Sequence, residues 1–399
     1  MMPPSPITRA EISRSRLTEN FLRLRSLARQ SGGDALAVVK ADAYGHSVSL
    51  CAPWLMQSGA EWLGVTSVQE GVAVRRLCPR ARILVLSAFQ REHAEPLLDA
   101  NLTPTVWDLA HLEALSEAAH RRSLSSGSVP VHLEIDTGMS RQGVAFAPAH
   151  LTPVLEKLRA IPALRLEATF THFASPEVLD SEQNSQQATR FEQAVAHIAN
   201  AGFRPRWIHA GNSSTLLAQR QSRQLVALAN SVGAAFLFRP GLALYGYALP
   251  FTGESSALPI RLQPVMSWKT AIASLRTVEP GAKIGYSGTF IAPTEMRIAL
   301  LPIGYADGLN RKLSNPSPKG EGHVLIRGIA APIVGRVSMD LTTVDVSQIP
   351  AAAVGDEVVI LGEQAGQRIT ADDHARWAET ISYEVLCSVA ARVPRIARE

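Results

Sequence analysis

A lysine stands where an apolar segment of the chain gives way to a polar one. Residues 35–39 read Ala-Leu-Ala-Val-Val, as in a buried strand, and Lys40 follows them directly, ahead of Tyr44, Gly45 and His46. A lysine at a strand end is most often solvated, whereas burial would lower the pKa of its amine by penalising the charged form. A neutral amine can attack a carbonyl carbon and form a Schiff base. Lys40 is therefore the first candidate for catalysis.

Two small, donor-rich loops further along the chain could hold a phosphate group. One is His-Ala-Gly-Asn-Ser-Ser-Thr at 209–215, which enters a predicted helix, and the other is Arg-Pro-Gly-Leu at 239–242. Helix N-termini attract anions, and glycine lets the backbone approach a ligand closely. Each loop alone could be an ordinary cap or turn. If one face of the fold carries Lys40 and both loops, the three together imply pyridoxal phosphate (PLP).

The elements that must position these residues alternate between short strands and longer helices over the first 250 residues. This alternation predicts an α/β fold, namely a (β/α)8 barrel of the TIM type. A doubly wound open sheet is the competitor, although no GxGxxG follows an early strand. In a barrel, the C-terminal ends of the strands form the face that carries active sites. The predicted strands are 35–40, 62–67, 82–88, 102–107, 129–136, 164–173, 206–211 and 234–241, and the predicted helices include 67–77, 108–122 and 182–201.

The pattern of predicted secondary structure changes after about residue 252. Strand-like segments separated by Gly and Pro turns then dominate, and a helical pattern returns only at 371–390. We therefore predict a barrel over residues 1–252 and a mainly β C-terminal domain over 253–399, linked through 250–256. The predicted strands of the second domain are 265–278, 296–305, 323–328, 332–337 and 357–362.

Composition excludes several classes of protein. The 399 residues are 46% hydrophobic and 19% charged, and the net charge is only +4, which argues against a nucleic-acid surface. Three cysteines without metal-ligand spacing predict no metal and fit a reducing compartment. The N-terminus lacks the apolar core of a signal peptide, and no apolar run approaches a membrane span of about 20 residues. A cytoplasmic location is expected.

Nine segments, in order, resemble the alanine racemase family over nearly the whole chain. Any one of them would be a weak signal, but the set is strong. The segments are AVVKADAYGH (37–46), DTGMSRQG (136–143), THFA (171–174), HAGNSS (209–214), FRPGLALYG (238–246), IGYSGTF (284–290), IGYADG (303–308), GRVSMD (335–340) and ISYEV (381–385).

The resemblance implies a PLP enzyme that interconverts L-alanine and D-alanine with two bases, supplying D-alanine for peptidoglycan unless its role is catabolic. Lys40 would hold the cofactor and act as one base, and Tyr286 would be the other. Arg141 would contact the cofactor's phenolic oxygen and the substrate carboxylate, which the backbone of Met339 would also meet. The β domain would complete the active site of the partner in a head-to-tail homodimer.

The resemblance also implies residues that surround or support the cofactor. His172 would pack against its ring, and Arg239 would face the pyridine nitrogen with His209 hydrogen-bonded behind it. The phosphate would lie among Tyr44, Asn212, Ser213, Gly241, Leu242 and Tyr383. Supporting residues in the β domain would include Tyr305 and Asp340, and Arg311, Arg336, Tyr383 and Ile381 would line a corridor that admits small amino acids.

The chemistry of racemisation agrees with these assignments. One base on each face of the α-carbon can remove a proton and return another without turning the substrate over. A tyrosine, with an ordinary pKa near 10, needs a nearby cation to act as a base. Arg239 cannot yield its proton at ordinary pH, so the pyridine ring would be a weaker electron sink, which disfavours transamination.

Glu134 departs from the family pattern. Many members carry at this position a lysine that CO2 converts to a carbamate, which orients the arginine equivalent to Arg141. We hypothesise that the carboxylate of Glu134 orients Arg141 instead, through a charge-assisted hydrogen bond or a bridging water. A strand glutamate facing elsewhere is the alternative.

Three other functions remain as alternatives. A broader-specificity racemase is the nearest, but such relatives are often exported. A PLP decarboxylase of similar architecture would offer the pyridine nitrogen a carboxylate rather than Arg239. A non-catalytic PLP-binding carrier on a lone barrel would need neither the β domain nor Tyr286.

Overall fold

The computed structural model describes residues 7–252, 258–315 and 320–399. The predicted boundary at residues 252 and 253 adjoins residues outside these ranges. None of the described helices is both long and apolar enough to cross a membrane.

The chain forms two compact units, each of which is described by itself. The barrel unit comprises residues 17–43 and 48–263. The β unit comprises the described residues up to Arg16, residues 44–47, and the chain from Pro264 onward.

Among its described residues, the barrel unit contains eight parallel strands that coincide with the predicted ones, and a further two-residue strand, Val144–Ala145, pairs in parallel with the fifth. The first strand is interrupted at Leu36, so its first half pairs with strand eight and its second half pairs with strand two. The N–H of Leu36 donates to the carbonyl of Phe238 over 2.8 Å, and the N–H of Val39 donates to Gly64 over 2.8 Å. The sheet therefore closes. In order, the strands are Asp34–Ala35 with Ala37–Val38, Trp62–Val65, Arg82–Val85, Thr103–Val106, Val129–Asp136, Leu164–Phe170, Trp207–His209 and Ala235–Phe238.

Helices follow the strands and cover the barrel. The helix Glu182–Asn200 shows why these segments are helical: its buried residues recur at helical spacing, and Ser181 caps it by accepting the N–H of Asn184 over 3.2 Å. The predicted helices are confirmed to within one or two residues. The helices are Arg14–Gln30, Val48–Gln57, Val68–Leu77, Ala94–Asp99, Leu109–Arg121, Pro148–Ala160, Glu182–Asn200, Ser213–Ala218 and Ser222–Ser231.

Residues 41–44, directly after Lys40, form a left-handed turn. Their φ angles are 52°, 51°, 57° and 54°, and none of the four is glycine. Such a conformation costs an L-residue roughly 1–2 kcal/mol. Two hydrogen bonds hold the turn: the N–H of Ala41 donates to the carboxylate of Glu70 over 2.7 Å, and the carboxylate of Asp42, inside the turn, accepts the N–H of Val48 over 2.7 Å.

The β unit is mainly β-structure, as predicted. Its largest sheet runs in the order Ile329–Pro332, His323–Ile326, Glu357–Gln364, Met266–Ala271, Arg9–Ser13 and Arg395–Arg398, with Gln367–Ile369 beside Glu357–Gln364. A second sheet contains Ser274–Val278, Met296–Leu301 and Thr342–Asp345, a short pair joins Lys283–Ile284 to Phe290–Ile291, and two helices span Ala371–Ala378 and Ser382–Ser388.

Some elements of this unit differ from the prediction. No strand was predicted over Arg9–Ser13, a stretch assigned to the barrel range, and its backbone pairs with Met266–Ala271 and Arg395–Arg398. The predicted strand 332–337 is wrong beyond Pro332, since Gly335 has a φ of 75° that breaks the extended chain. The single helix expected over 371–390 is interrupted at Glu379, whose φ is 53°.

Candidate active site

The C-terminal ends of the barrel strands bring together the predicted barrel residues. Lys40 follows strand one, His172 follows strand six, and Arg239 follows strand eight. Because the strands are parallel, these ends lie on one face. The others placed there are Glu134 and Arg141 at strand five, His209, Asn212 and Ser213 at strand seven, and Gly241 and Leu242 after strand eight.

His172 marks the point where three cations converge. Its pKa is lowered to about 3, first by burial and then by the charges of Arg239, Arg141 and Lys40. Such an effect requires the charges to be near the imidazole. His172 is therefore neutral at physiological pH, and the hydrogen bond that Arg239 donates to it joins the residues after strands six and eight.

Arg239 is the buried centre of this region, with 4% of its surface exposed. Its guanidinium donates to Nδ1 of His209 over 2.9 Å, to the carbonyl of Thr171 over 2.8 Å, and to Nδ1 of His172 over 3.2 Å. Burial lowers its pKa to about 10, partly opposed by the charge of Glu134. The side chain is thus fixed in place and still a cation at neutral pH.

A buried chain of polar side chains continues behind Arg239. His209 stacks on Phe170 at a centroid distance of 4.3 Å, and its Nε2 lies 2.9 Å from Nδ1 of His132. Nε2 of His132 lies 3.5 Å from Glu167, which in turn accepts a hydrogen bond of 2.6 Å from Arg82. Sequence reasoning missed His132 and Glu167. Their signal in the sequence was weak, because strands five and six also carry other charged residues, among them Glu134 and Arg165.

The loops after strands seven and eight are joined through Ser213. Its Oγ accepts the N–H groups of Gly241 over 3.0 Å and Ala243 over 3.1 Å, which leaves the hydroxyl proton for another acceptor. Asn212 caps the helix Ser213–Ala218 by accepting the N–H of Thr215 over 3.2 Å. The two loops predicted to form a phosphate cradle are therefore adjacent.

Glu134 contacts a neighbour of Arg141 rather than Arg141 itself. It is 2% exposed and accepts a hydrogen bond of 2.5 Å from Nε2 of Gln142, which also donates to the carbonyl of Leu86 over 2.9 Å. Within the ranges that the structure describes, Glu134 and Arg141 form no ion pair, so the hypothesised direct bond is wrong. Arg141 extends into solvent, whereas Gln142 reaches the buried carboxylate. Burial raises the pKa of Glu134 to about 7, against the lowering effects of Arg239, Gln142 and Arg141.

In the β unit, the candidate base Tyr286 is on the surface, with 70% of its area exposed. It follows Gly285, whose φ is 74° and on which a Cβ would lie 3.2 Å from the amide nitrogen of Arg336. Arg336 is itself exposed. The close approach of these two backbones therefore places Tyr286 and Arg336 side by side.

A second group of candidates in the β unit surrounds Met339. The N–H of Tyr305 donates to Ser338, and the N–H of Ala306 donates to Met339, each over 3.0 Å. Asp340 forms an ion pair of 2.7 Å with Arg392. Met339 is 54% exposed, and Tyr305 and Asp340 are exposed as well.

The remaining β-unit candidates lie near the helix Ser382–Ser388. The ring of Tyr383 lies 5.9 Å from that of Tyr44, whose pKa is raised by burial. Ile381 is exposed at the start of the helix. A cavity of about 240 Å³ contains Tyr305 and Arg311 in its lining, so these two predicted corridor residues are close together.

The fold and site define a class: a parallel barrel with a lysine, two arginines and a buried imidazole at its catalytic face, carried in one chain with a mainly β unit. Two family models match the chain, described as the N-terminal domain of alanine racemase over residues 12–249 and its C-terminal domain over 265–397. The chain belongs to the alanine racemase family.

Individual proteins support this membership. The alanine racemase of Syntrophobacter fumaroxidans is 38% identical over 379 residues, which is 95% of this chain and 94% of the relative. The solved alanine racemase of Clostridium difficile 630 is 29% identical with a TM-score of 0.87, covering 100% of this chain and 97% of that one. A structure from Bartonella henselae, an alanine racemase with covalently bound pyridoxal phosphate, shares the fold at 24% identity and a TM-score of 0.82, covering 98% of this chain and 100% of that one.

Proposed function

We propose that this protein is a PLP-dependent alanine racemase that interconverts L-alanine and D-alanine. The observation that carries the proposal is the position of Arg239, which is buried and donates to His209 and His172 at the strand ends of a barrel whose first strand ends at Lys40. Membership of the alanine racemase family gives this arrangement its chemical meaning. Such an enzyme would supply D-alanine for peptidoglycan in the cytoplasm.

The donor set of the barrel face fits PLP. When bound, the cofactor supplies an aldehyde that joins an amine and a ring that stabilises negative charge at the α-carbon. The site offers three cations, while the nearby carboxyl group of Glu134 has a pKa raised to about 7. A phosphate-bearing anion suits this excess of positive charge. The same group is covalently bound in the Bartonella henselae structure.

Each residue of the barrel face would hold a different part of the cofactor. Lys40 provides the amine that binds its aldehyde carbon, and Ser213 provides a hydroxyl proton for its phosphate. The adjoining loop residues Asn212, Gly241 and Leu242 would line the same phosphate site.

Arg239 would face the pyridine nitrogen as a permanent donor. Three of its donor interactions already fix it to His209, Thr171 and His172. With a pKa of about 10 it keeps its proton at neutral pH, so the ring nitrogen stays unprotonated. Less negative charge then moves into the ring, which favours return of the proton to the α-carbon over transamination.

Two bases would act on opposite sides of the α-carbon. The amine of Lys40, once released by the incoming substrate, is placed to take or return a proton on one side. The phenol of Tyr286 would do so on the other. His172 accepts a hydrogen bond from Arg239 at Nδ1, so as a neutral imidazole it carries its proton on Nε2 and can donate it.

A second copy of the chain would supply Tyr286. A catalytic phenol that is 70% exposed lacks the enclosure a base needs, and a head-to-tail homodimer would provide it. Other exposed residues would enter the partner's site together with Tyr286, namely Arg336, Met339, Tyr305 and Asp340. There Met339 and Arg141 would bind the substrate carboxylate, and Arg311, Arg336, Tyr383 and Ile381 would restrict the entry of larger amino acids.

Exchange in heavy water tests the function. Purified protein with PLP is incubated with L-alanine in D2O, and the α-proton signal and the optical rotation are followed. We expect both to decay, the rotation towards zero. A carrier would change neither signal, and that outcome would end the proposal. A panel of other L-amino acids separates an alanine racemase from a broader one.

A further inference from the structure

The barrel interior contains a chain of polar side chains that leads from Arg239 to Glu167. From Arg239, the contacts run to His209 over 2.9 Å, to His132 over 2.9 Å, and to Glu167 over 3.5 Å. His132 and His209 are fully buried, and Glu167 is 2% exposed. Barrel interiors are usually filled by layers of apolar side chains, so a polar chain through this one calls for a function.

The chemistry of Arg239 fixes the direction of the hydrogen bonds to His209 and on to His132, whereas Nε2 of His132 and Oε2 of Glu167, 3.5 Å apart, form a longer polar contact. A guanidinium only donates, so Nδ1 of His209 must accept from it. The proton of a neutral His209 is then on Nε2, which donates to Nδ1 of His132. By the same step, the proton of His132 is on Nε2 and faces the carboxylate of Glu167. Both histidines are therefore neutral Nε2–H tautomers, in line with the pKa values that burial lowers in each.

Glu167 supplies the only kind of group that can end this chain, an acceptor without a proton. Its Oε1 accepts hydrogen bonds from Arg82 over 2.6 Å and from Arg165 over 3.4 Å, while Oε2 faces His132. The pKa of Glu167 is lowered to about 2 despite its burial, through its contacts with His132 and Arg82. It is a carboxylate at any physiological pH.

We propose that Glu167 and His132 are positioning residues for Arg239, which fix the tautomer of His209 so that its acceptor nitrogen always faces the guanidinium. The proposal rests on the proposed function, in which Arg239 meets the pyridine ring. If these hydrogen bonds were donated in the opposite direction, an Nδ1–H of His209 would point at an N–H of Arg239. Two donors would then oppose each other, and the guanidinium would leave its position.

The variant Glu167→Gln is designed to reverse the donor and acceptor roles in the hydrogen bonds between Glu167, His132 and His209. Arg82 and Arg165 both donate to Oε1, so they select the amide orientation that places oxygen there. The NH2 group then faces His132, whose Nε2 must accept, and the proton moves to Nδ1. His209 is forced to follow. Glu167→Leu also removes the carboxylate, but leucine neither donates nor accepts a hydrogen bond, so it does not select a tautomer of His132.

The protonation of each ring nitrogen is read directly by long-range ¹H–¹⁵N spectra of PLP-loaded protein containing ¹⁵N-histidine. His132→Asn and His209→Asn variants assign the signals. In the unaltered protein we expect both histidines as neutral Nε2–H tautomers, and in Glu167→Gln both as Nδ1–H tautomers. Glu113→Gln, at a half-exposed ion pair on the barrel's helices, is the matched control and should leave the pattern unchanged.

Retention of PLP provides the second measurement. Loss of a hydrogen bond to a charged group should weaken PLP binding by about 10- to 100-fold in Glu167→Gln. Glu167→Leu should weaken it less, because no donor is turned towards Arg239. A role limited to packing or stability predicts the opposite order, since leucine loses every hydrogen bond that glutamine keeps.

Three results would overturn the inference: a doubly protonated histidine in the unaltered protein, an unchanged pattern in Glu167→Gln, or a larger effect of leucine than of glutamine. The first of these needs only the two variants that assign the signals, so a Glu167 variant that fails to fold does not block the test. Tautomers are measured without turnover. If the D2O assay shows no racemisation but the histidine tautomers are as expected, the proposed function is refuted and the tautomer assignments stand.

Discussion

Most candidate residues of the barrel unit are buried or half-buried, with Arg141 the exposed exception, whereas those of the β unit, apart from the buried Tyr44, are mainly exposed. Arg239 and His209 are buried and hydrogen-bonded, while Tyr286 and Met339 are 70% and 54% exposed. The barrel positions its groups through its own interior. The β unit carries Tyr286 and Met339 on its surface, where they are open to solvent. This difference indicates that the barrel residues of the proposed site are already held by contacts within their own unit, whereas the β-unit residues are still open to solvent.

Lys40→Ala should have the largest effect on the barrel side of this comparison. Loss of the amine removes both the covalent attachment of PLP and one base, so activity should fall by at least about 10⁴-fold. The visible absorbance of the bound cofactor should disappear in the same spectrum. Lys157→Ala, at an ion pair on the barrel's helices, is the control. Substantial activity in Lys40→Ala would show that the barrel face is not the catalytic one.

Tyr286→Phe tests the β side and should have the next largest effect. The ring is kept but its proton is lost, so racemisation should slow by roughly 10²–10⁴-fold while PLP stays bound. Kinetics in both directions and the cofactor spectrum check this result. Full activity in both directions would remove Tyr286 from the mechanism.

Mixing the two variants sharpens the comparison further. In a dimer with shared sites, one Lys40→Ala subunit and one Tyr286→Phe subunit rebuild one intact site and one doubly altered site. Random exchange makes half of the dimers mixed, so the mixture should regain roughly a quarter of the unaltered activity. If each chain used its own Tyr286, mixing would restore nothing.

Glu134→Gln should change stability with pH, and this is the smallest of the expected effects. Because the pKa of Glu134 rises from 4.5 to about 7 on folding, the folded protein holds a proton that the unfolded chain releases. The free energy of unfolding therefore falls as pH rises through this interval. Glutamine does not titrate, so its stability relative to glutamate should rise by up to about 3 kcal/mol between pH 5 and pH 8.

Urea denaturation at the two pH values measures this difference. The amide oxygen introduced by Glu134→Gln can still accept the hydrogen bond from Gln142, so the variant isolates the charge. Glu113→Gln serves as the exposed control in the same unit. A stability difference that does not vary with pH would mean that the carboxyl group of Glu134 is not shifted by burial.

The sequence predicted the barrel well because each strand is a compact apolar run followed by turn residues. It also predicted the residues at the strand ends, since their position depends on topology alone. It missed His132 and Glu167, because strand periodicity does not show which inward-facing polar groups meet across a barrel. Strand Arg9–Ser13 was also missed, since its partners lie near residues 266–271 and 395–398, and such distant pairing leaves no local pattern.

The partner of Glu134 shows a different limit. The sequence places Glu134 and Arg141 at the same end of strand five, and a charge pair was the natural expectation. Only the structure shows that the neighbouring Gln142 reaches the carboxylate first, at 2.5 Å. Side-chain choice between adjacent residues depends on backbone direction in a loop, which composition does not determine.

The left-handed turn after Lys40 has a consequence for how the protein matures. Four consecutive L-residues do not adopt this handedness unaided, and the carboxylate of Glu70 that secures the first of them belongs to the following strand–helix repeat. A nascent chain that ends before Glu70 therefore has its reactive nitrogen in no defined place. In the proposed function, Lys40 would therefore reach the position in which it binds PLP only once Glu70 has secured the turn.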